Sequence, residues 1–92
     1  MIYATRIKMR SGCYYSSSLL EIDEIYLVGN GIEGYYRKEV VHDHVKKYPG
    51  SIEVALSPYP KVVAAESIYG EKYVRSQANS TTHDNLLQLP RE

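Results

Sequence analysis

The sequence predicts a small α+β domain: a mainly antiparallel β-sheet with one α-helix, at about residues 38–48, packed on it. Three observations predict it. Short runs alternate apolar and polar residues with period two, among them IYATRIKM (2–9) and LEIDEIYLV (20–28). One segment, KEVVHDHVKKY (38–48), carries apolar residues at helical spacing. The order is strands, helix, strands, with no repeat or interdomain linker, so residues 1–92 read as a single domain near the lower size limit for one core.

Each element has its own signal. In residues 2–9, Tyr3, Thr5, Ile7 and Met9 alternate with Ile2, Ala4, Arg6 and Lys8, a strand with one wetter face. RSGCYYSSS (10–18) is a loop, and 20–28 is a second strand with Leu20, Ile22, Glu24, Tyr26 and Val28 on one side. Gly29-Asn30-Gly31 is a hairpin turn, because Asn-Gly tolerates positive φ, and Ile32 to Tyr36 pair back. In the helix, Val41, His44, Val45 and Tyr48 share one face, leaving His42 to solvent. Asp43 is spaced to reach Lys46 and Lys47, and Pro49-Gly50 ends the helix. SIEVAL (51–56) is a short strand and SPYP (57–60) a rigid kink. KVVAAESI (61–68) and KYVRSQ (72–77) form a hairpin across Tyr69 to Lys72. The tail, 79–92, is polar except for Leu86, Leu87 and Leu89, which are expected to dock it on the body.

Composition excludes several classes of function. Eleven basic and eleven acidic residues give no net charge, which argues against nucleic acid and membrane surfaces as partners. The same neutrality gives little protection against self-association, so a homo-oligomer is expected. No apolar run is long enough to span a membrane. The N-terminus lacks the order of a signal peptide, and Cys13 is the only cysteine, so a reducing, cytoplasmic location is expected. Ten tyrosines with no Phe or Trp exceed what so small a core can bury with every hydroxyl satisfied, so several should line an interface or a pocket mouth.

Catalytic and metal signatures are weak. His42 and His44 lie about 200° apart on a helix and cannot share an ion. Cys13 has no spacing that marks a nucleophile, and Glu21, Asp23 and Glu24 read as a solvated strand edge. No phosphate loop, nucleophile elbow or dinucleotide fingerprint is present, so no cofactor is expected and the enzyme reading is set aside.

Two polar, Tyr-rich surfaces remain as ligand-binding candidates. The first is YVRSQANSTT. Tyr73 and Arg75 share a strand face, offering a ring to stack on and a guanidinium fork, while Ser76, Asn79, Ser80, Thr81 and Thr82 could surround phosphate oxygens. The structural alternative has Arg75 paired with Glu66 across the hairpin, and Asp84, Asn85, Leu86, Leu89 and Pro90 forming a clasp for the tail. The second surface joins Tyr14 and Tyr15, in a Tyr/Ser loop, to Tyr35, Tyr36 and Arg37 at the helix start. Its alternative is a hairpin-to-helix corner in which Tyr36 caps the core.

Tyr73, Arg75 and Ser76, with Asp84, Asn85, Leu86, Leu89 and Pro90, resemble the strand, polar turn and Asn-Leu-x-x-Leu-Pro tail of a small bacterial and phage family of unknown function, the family 3892 type. The resemblance covers most of the chain from residue 2 and is sharpest over 73–90. The connections RSGCYYSSSLLE and SPYPKVVAAES look longer than the family's. It implies a fold and no activity. The resulting expectation is non-catalytic binding of a small phosphorylated or nucleotide-like ligand. In a phage setting this would sequester a host immune nucleotide signal. The alternative is a protein–protein interaction module, an inhibitor or adaptor using the Tyr-rich surface.

Overall fold

In the computed structural model, which describes residues 1–77 and 84–92, six strands and one helix follow in the order β1 (Ile2–Met9), β2 (Ile22–Gly29), β3 (Ile32–Arg37), α1 (Lys38–Lys47), β4 (Ile52–Val54), β5 (Val62–Glu66) and β6 (Lys72–Ser76). Short 3-10 turns cover Leu19–Glu21 and Asn85–Gln88. A four-stranded sheet runs β3-β2-β1-β4, antiparallel except for the β1–β4 pair, and β5-β6 form a separate antiparallel hairpin. The fold is α+β, as the patterning predicts.

The β2–β3 hairpin follows from two residues. Asn30 and Gly31 sit at φ 50° and 82°, which makes the two-residue turn whose twist matches paired strands. Gly29 beside it allows a close approach: a Cβ there would lie 2.2 Å from the Met1 carbonyl oxygen.

A strict period of two fails on β1 and β2. Opposite Ala4 is Leu27, but opposite Arg6 is Tyr26, so Thr5 is an extra residue in the ladder. That bulge turns the strand over, and Ile2, Ala4, Ile7 and Met9 all face the core. A second irregularity, with Lys8 opposite Glu24 and Met9 opposite Ile22, does the same on β2. Ile22 therefore joins Ile25 and Leu27 inside, leaving Glu24, Tyr26 and Val28 on the outer face.

The helix face is also corrected. Lys38, Val41, His42 and Val45 are buried, whereas Tyr48 is 52% exposed and His44 is only half-buried. The apolar spacing alone points one stripe at one sheet, but α1 packs against β5 and β6 as well as β2 and β3. Two contact directions widen the buried arc to include Lys38 and His42. Asp43 hydrogen-bonds His42 and accepts from Lys72 at 3.0 Å, so its partner lies on the hairpin and not among its own helix lysines.

Leu86 and Leu89 enter the core, with Leu87 packed at its edge. Pro90 to Glu92 then run beside β1, where Ile7 donates to the Pro90 carbonyl and Glu92 donates to the Ile7 carbonyl, both at 3.0 Å. Both edges of β1 are thus occupied. Among the described residues no helix is long and apolar enough to cross a membrane.

Candidate functional site

The outer face of the four-stranded sheet, turned away from α1, carries an aromatic and cationic cluster. Register places Arg6 opposite Tyr26 and Tyr26 opposite Tyr35, one row across β1, β2 and β3. The Arg6 guanidinium lies 4.6 Å from the centroid of the Tyr26 ring. Tyr26 and Tyr35 meet edge to face, with centroids 4.9 Å apart. The Tyr26 hydroxyl donates to Glu33 at 2.6 Å, fixing the ring. Neighbouring rows add Tyr3 beside Val28 and Lys8 beside Glu24.

One donor in this cluster is uncommitted. Arg6 has no carboxylate partner within ion-pair distance among the described residues. The Tyr35 hydroxyl is shielded from solvent, with the Glu92 carboxylate as its nearby acceptor. Burial pushes its pKa up to about 12, the nearby Glu92 carboxylate adding to the shift. The hydroxyl is therefore a proton donor at neutral pH. The guanidinium N–H groups of Arg6 beside this ring pair can receive an acceptor-bearing planar group.

The other predicted residues are distributed over the fold. Tyr36 lies on the inner side of β3 and lines an apolar cavity of about 90 Å³ with Ile32, Val40, Val41 and His44. Arg37 is exposed and 3.5 Å from Glu39. Tyr14 and Tyr15 are in edge-to-face contact, and Tyr15 is 92% exposed. Their loop is held by the tail: Arg91 donates to the Tyr14 and Ser16 carbonyls at 2.6 and 2.7 Å, and the Tyr14 hydroxyl donates back to the Arg91 carbonyl.

On β6, Val74 and Ser76 point inward, while Tyr73 is half-buried and Arg75 is exposed. Arg75 stands opposite Val63, and Glu66 stands opposite Lys72, so the hairpin does not pair Arg75 with Glu66. Ser76 belongs to the clasp. Its N–H donates to both Asp84 carboxylate oxygens, at 3.0 and 3.2 Å, and its hydroxyl accepts from the Asn85 N–H. Asn79, Ser80, Thr81 and Thr82 lie outside the described residues. The structure shows no hydrogen bond, ion pair or ring contact joining Tyr73 or Arg75 to Tyr14, Tyr15, Tyr35 or Tyr36.

Arg6 and Tyr26 are the members that pattern reading missed. Counting back from the Asn30-Gly31 turn puts Tyr26 opposite Tyr35, so that half of the row is recoverable. The bulge at Thr5 hides Arg6.

A second charged cluster joins helix to hairpin. Lys38, 2% exposed, donates to the Leu20 carbonyl at 2.6 Å and to Glu71 at 2.5 Å, and Arg10 also donates to Glu71. The Lys38 ammonium beside Glu71 holds that carboxyl below its ordinary pKa. Its groups are satisfied by one another, which suits a tether. Cys13 donates to Glu21, and this bond, with burial, raises the thiol pKa, so the thiolate is disfavoured. No group of three or more His, Cys, Asp or Glu among the described residues is arranged to hold a metal.

No curated protein and no solved structure matches the chain. A family model does match residues 23–90, from the bulge of β2 through both hairpins, α1 and the tail clasp. The chain belongs to the family described as protein of unknown function (DUF3892).

Proposed function

We propose that this protein binds, without chemically altering it, a ligand combining a planar ring with anionic or acceptor groups, of the nucleotide-like class. The supporting observation is the Arg6–Tyr26–Tyr35 row, in which a guanidinium with no carboxylate partner among the described residues lies over the Tyr26 ring, beside the edge-to-face Tyr26–Tyr35 pair. Aromatic stacking on a base contributes about 1–3 kcal/mol and is tolerant of base identity. The inner cavity is apolar and too small for a nucleotide, since pockets for such ligands run from about 300 Å³ upward. The sheet face is therefore the preferred seat. Sequestration of a host nucleotide signal by a phage protein is the physiological role this binding would serve.

A protein partner is the second reading. It is favoured by the openness of the face and by Tyr3 and Tyr26 beside Arg6, residue types enriched at binding hot spots.

The test is calorimetric titration with ATP, GTP and cyclic mono- and dinucleotides, followed by mass analysis of the recovered ligand. Binding with the mass unchanged, weakened about 5- to 30-fold by Arg6→Ala and little by Arg75→Ala, is the expected result. Binding lost with Arg75→Ala alone would move the site to β6. Absence of binding by the whole panel, with a discrete protein captured through the Tyr26 face, would favour the second reading.

A further inference from the structure

We propose that two copies of this chain join through β3, antiparallel about a two-fold axis at Tyr35, to make one continuous eight-stranded sheet. The inference stands on the edge strand and is independent of the ligand reading.

β3 is the end strand of its sheet, and among the described residues nothing pairs with its outer edge. Its ladder to β2 is regular from Gly29–Ile32 to Glu24–Arg37. In a two-residue hairpin the pair flanking the turn is hydrogen-bonded, and bonded pairs then alternate. Ile32, Gly34 and Tyr36 therefore spend their backbone groups on β2. Glu33, Tyr35 and Arg37 turn theirs outward, an unpaired template of three residues.

That template is self-complementary in one register. With the axis at Tyr35, Glu33 lies opposite the partner's Arg37, and Arg37 opposite the partner's Glu33. Each outward N–H and C=O meets a counterpart, and both flanking side-chain pairs have opposite charge. On the inner face Gly34 lies opposite the partner's Tyr36. A Cβ at Gly34 would meet nothing within 4 Å, so space is open for that ring. Moving the axis to Glu33 would set two carboxylates opposite each other. The edge carries no proline and no bulge, the devices that block such pairing.

The groove beneath the edge supports the same partner. Ile32 and Tyr36 of β3 line it with Val40 and His44 of α1, and Val40 is an exposed apolar residue at its rim. A second β3 would cover this apolar strip. It would also bring Tyr35 beside the partner's Tyr35, making the two outer faces continuous.

Sedimentation velocity across a concentration series tests the pairing by charge exchange. The wild-type chain is expected to dimerise, and Glu33→Arg and Arg37→Glu singly to weaken the dimer about tenfold or more. The double exchange Glu33→Arg/Arg37→Glu restores opposite charges and is expected to restore the dimer. A monomeric wild type, or single variants that dimerise as well as wild type, would overturn the proposal. Should a single variant lose its fold by circular dichroism, amide exchange on the wild type decides. Protection at Glu33, Tyr35 and Arg37 must rise with concentration, and constant fast exchange there would refute the pairing.

Discussion

Lys38 is almost wholly buried at the first position of α1, and its ammonium lies 2.5 Å from the Glu71 carboxylate in the β5–β6 turn. A buried cation at the positive end of a helix has no favourable term of its own. Glu71 and the Leu20 carbonyl supply the compensation, and in doing so they tie the hairpin to the helix and to the loop before β2. Glu71→Gln is therefore expected to lower the urea midpoint more than Glu66→Gln. Adding Lys38→Met to Glu71→Gln should recover part of the loss, because an orphaned buried charge costs more than an absent one. Failure to recover any of it would mean that Lys38 acts through its packing alone.

The same contacts set an acid limit. Lys38, then Arg10, lowers the Glu71 pKa, and hydrogen bonds from His42 and Lys72 lower that of Asp43. A depressed carboxylate contributes stability that is complete above its unfolded pKa and lost as pH falls through the folded value. The loss should therefore develop below about pH 4, near the ordinary carboxylate range. Thermal midpoints from pH 7 to pH 2 check this: wild type should fall more steeply in acid than Glu71→Gln/Asp43→Asn. Parallel curves would rule out these two groups as the source.

Asp84 is the keystone of the tail clasp. It caps the 3-10 turn by accepting from the Leu86 N–H at 2.9 Å and accepts from the Ser76 N–H as well. Asp84→Ala should cost about 1–3 kcal/mol, the sum of a lost cap and an unpaired buried donor. Asp84→Asn keeps an acceptor and should cost less. Urea unfolding of the two variants makes the comparison.

Gly29 should tolerate no side chain. Its φ is 133°, and an added Cβ would meet the Met1 carbonyl at 2.2 Å. Gly29→Ala is expected to destabilise by about 1–3 kcal/mol through displacement of the N-terminal end of β1. Deleting Met1 should relieve part of that cost.

The strands, the single helix and the Asn30-Gly31 turn were legible because local chemistry dictates them. Ile2–Met9 coincides with its alternating run, and Tyr48 closes the helix just before Pro49. The faces were less legible. One unpaired residue at Thr5 exchanges the inner and outer sets of β1, and nothing in IYATRIKM announces it. His42 was hidden for a different reason, since burial of a helix on two sides depends on where the β5–β6 hairpin packs. Tyr35 and Arg37 read as candidates, but grouping them with Tyr14 and Tyr15 rests on shared Tyr-rich composition alone. The structure groups Tyr35 with Tyr26 and Arg6 through strand register. Ser76 reads in the sequence as part of a polar cradle, but it is 3% exposed and engaged with Asp84 and Asn85.

The proposed binding surface is the outer sheet face around Arg6, Tyr26 and Tyr35. Amide chemical-shift mapping during titration with the nucleotide panel tests it most directly. The largest shifts are expected on Arg6, Tyr26, Tyr35 and their cross-strand neighbours. Shifts confined to Tyr73–Gln77, or to the Tyr14–Tyr15 loop, would contradict that placement.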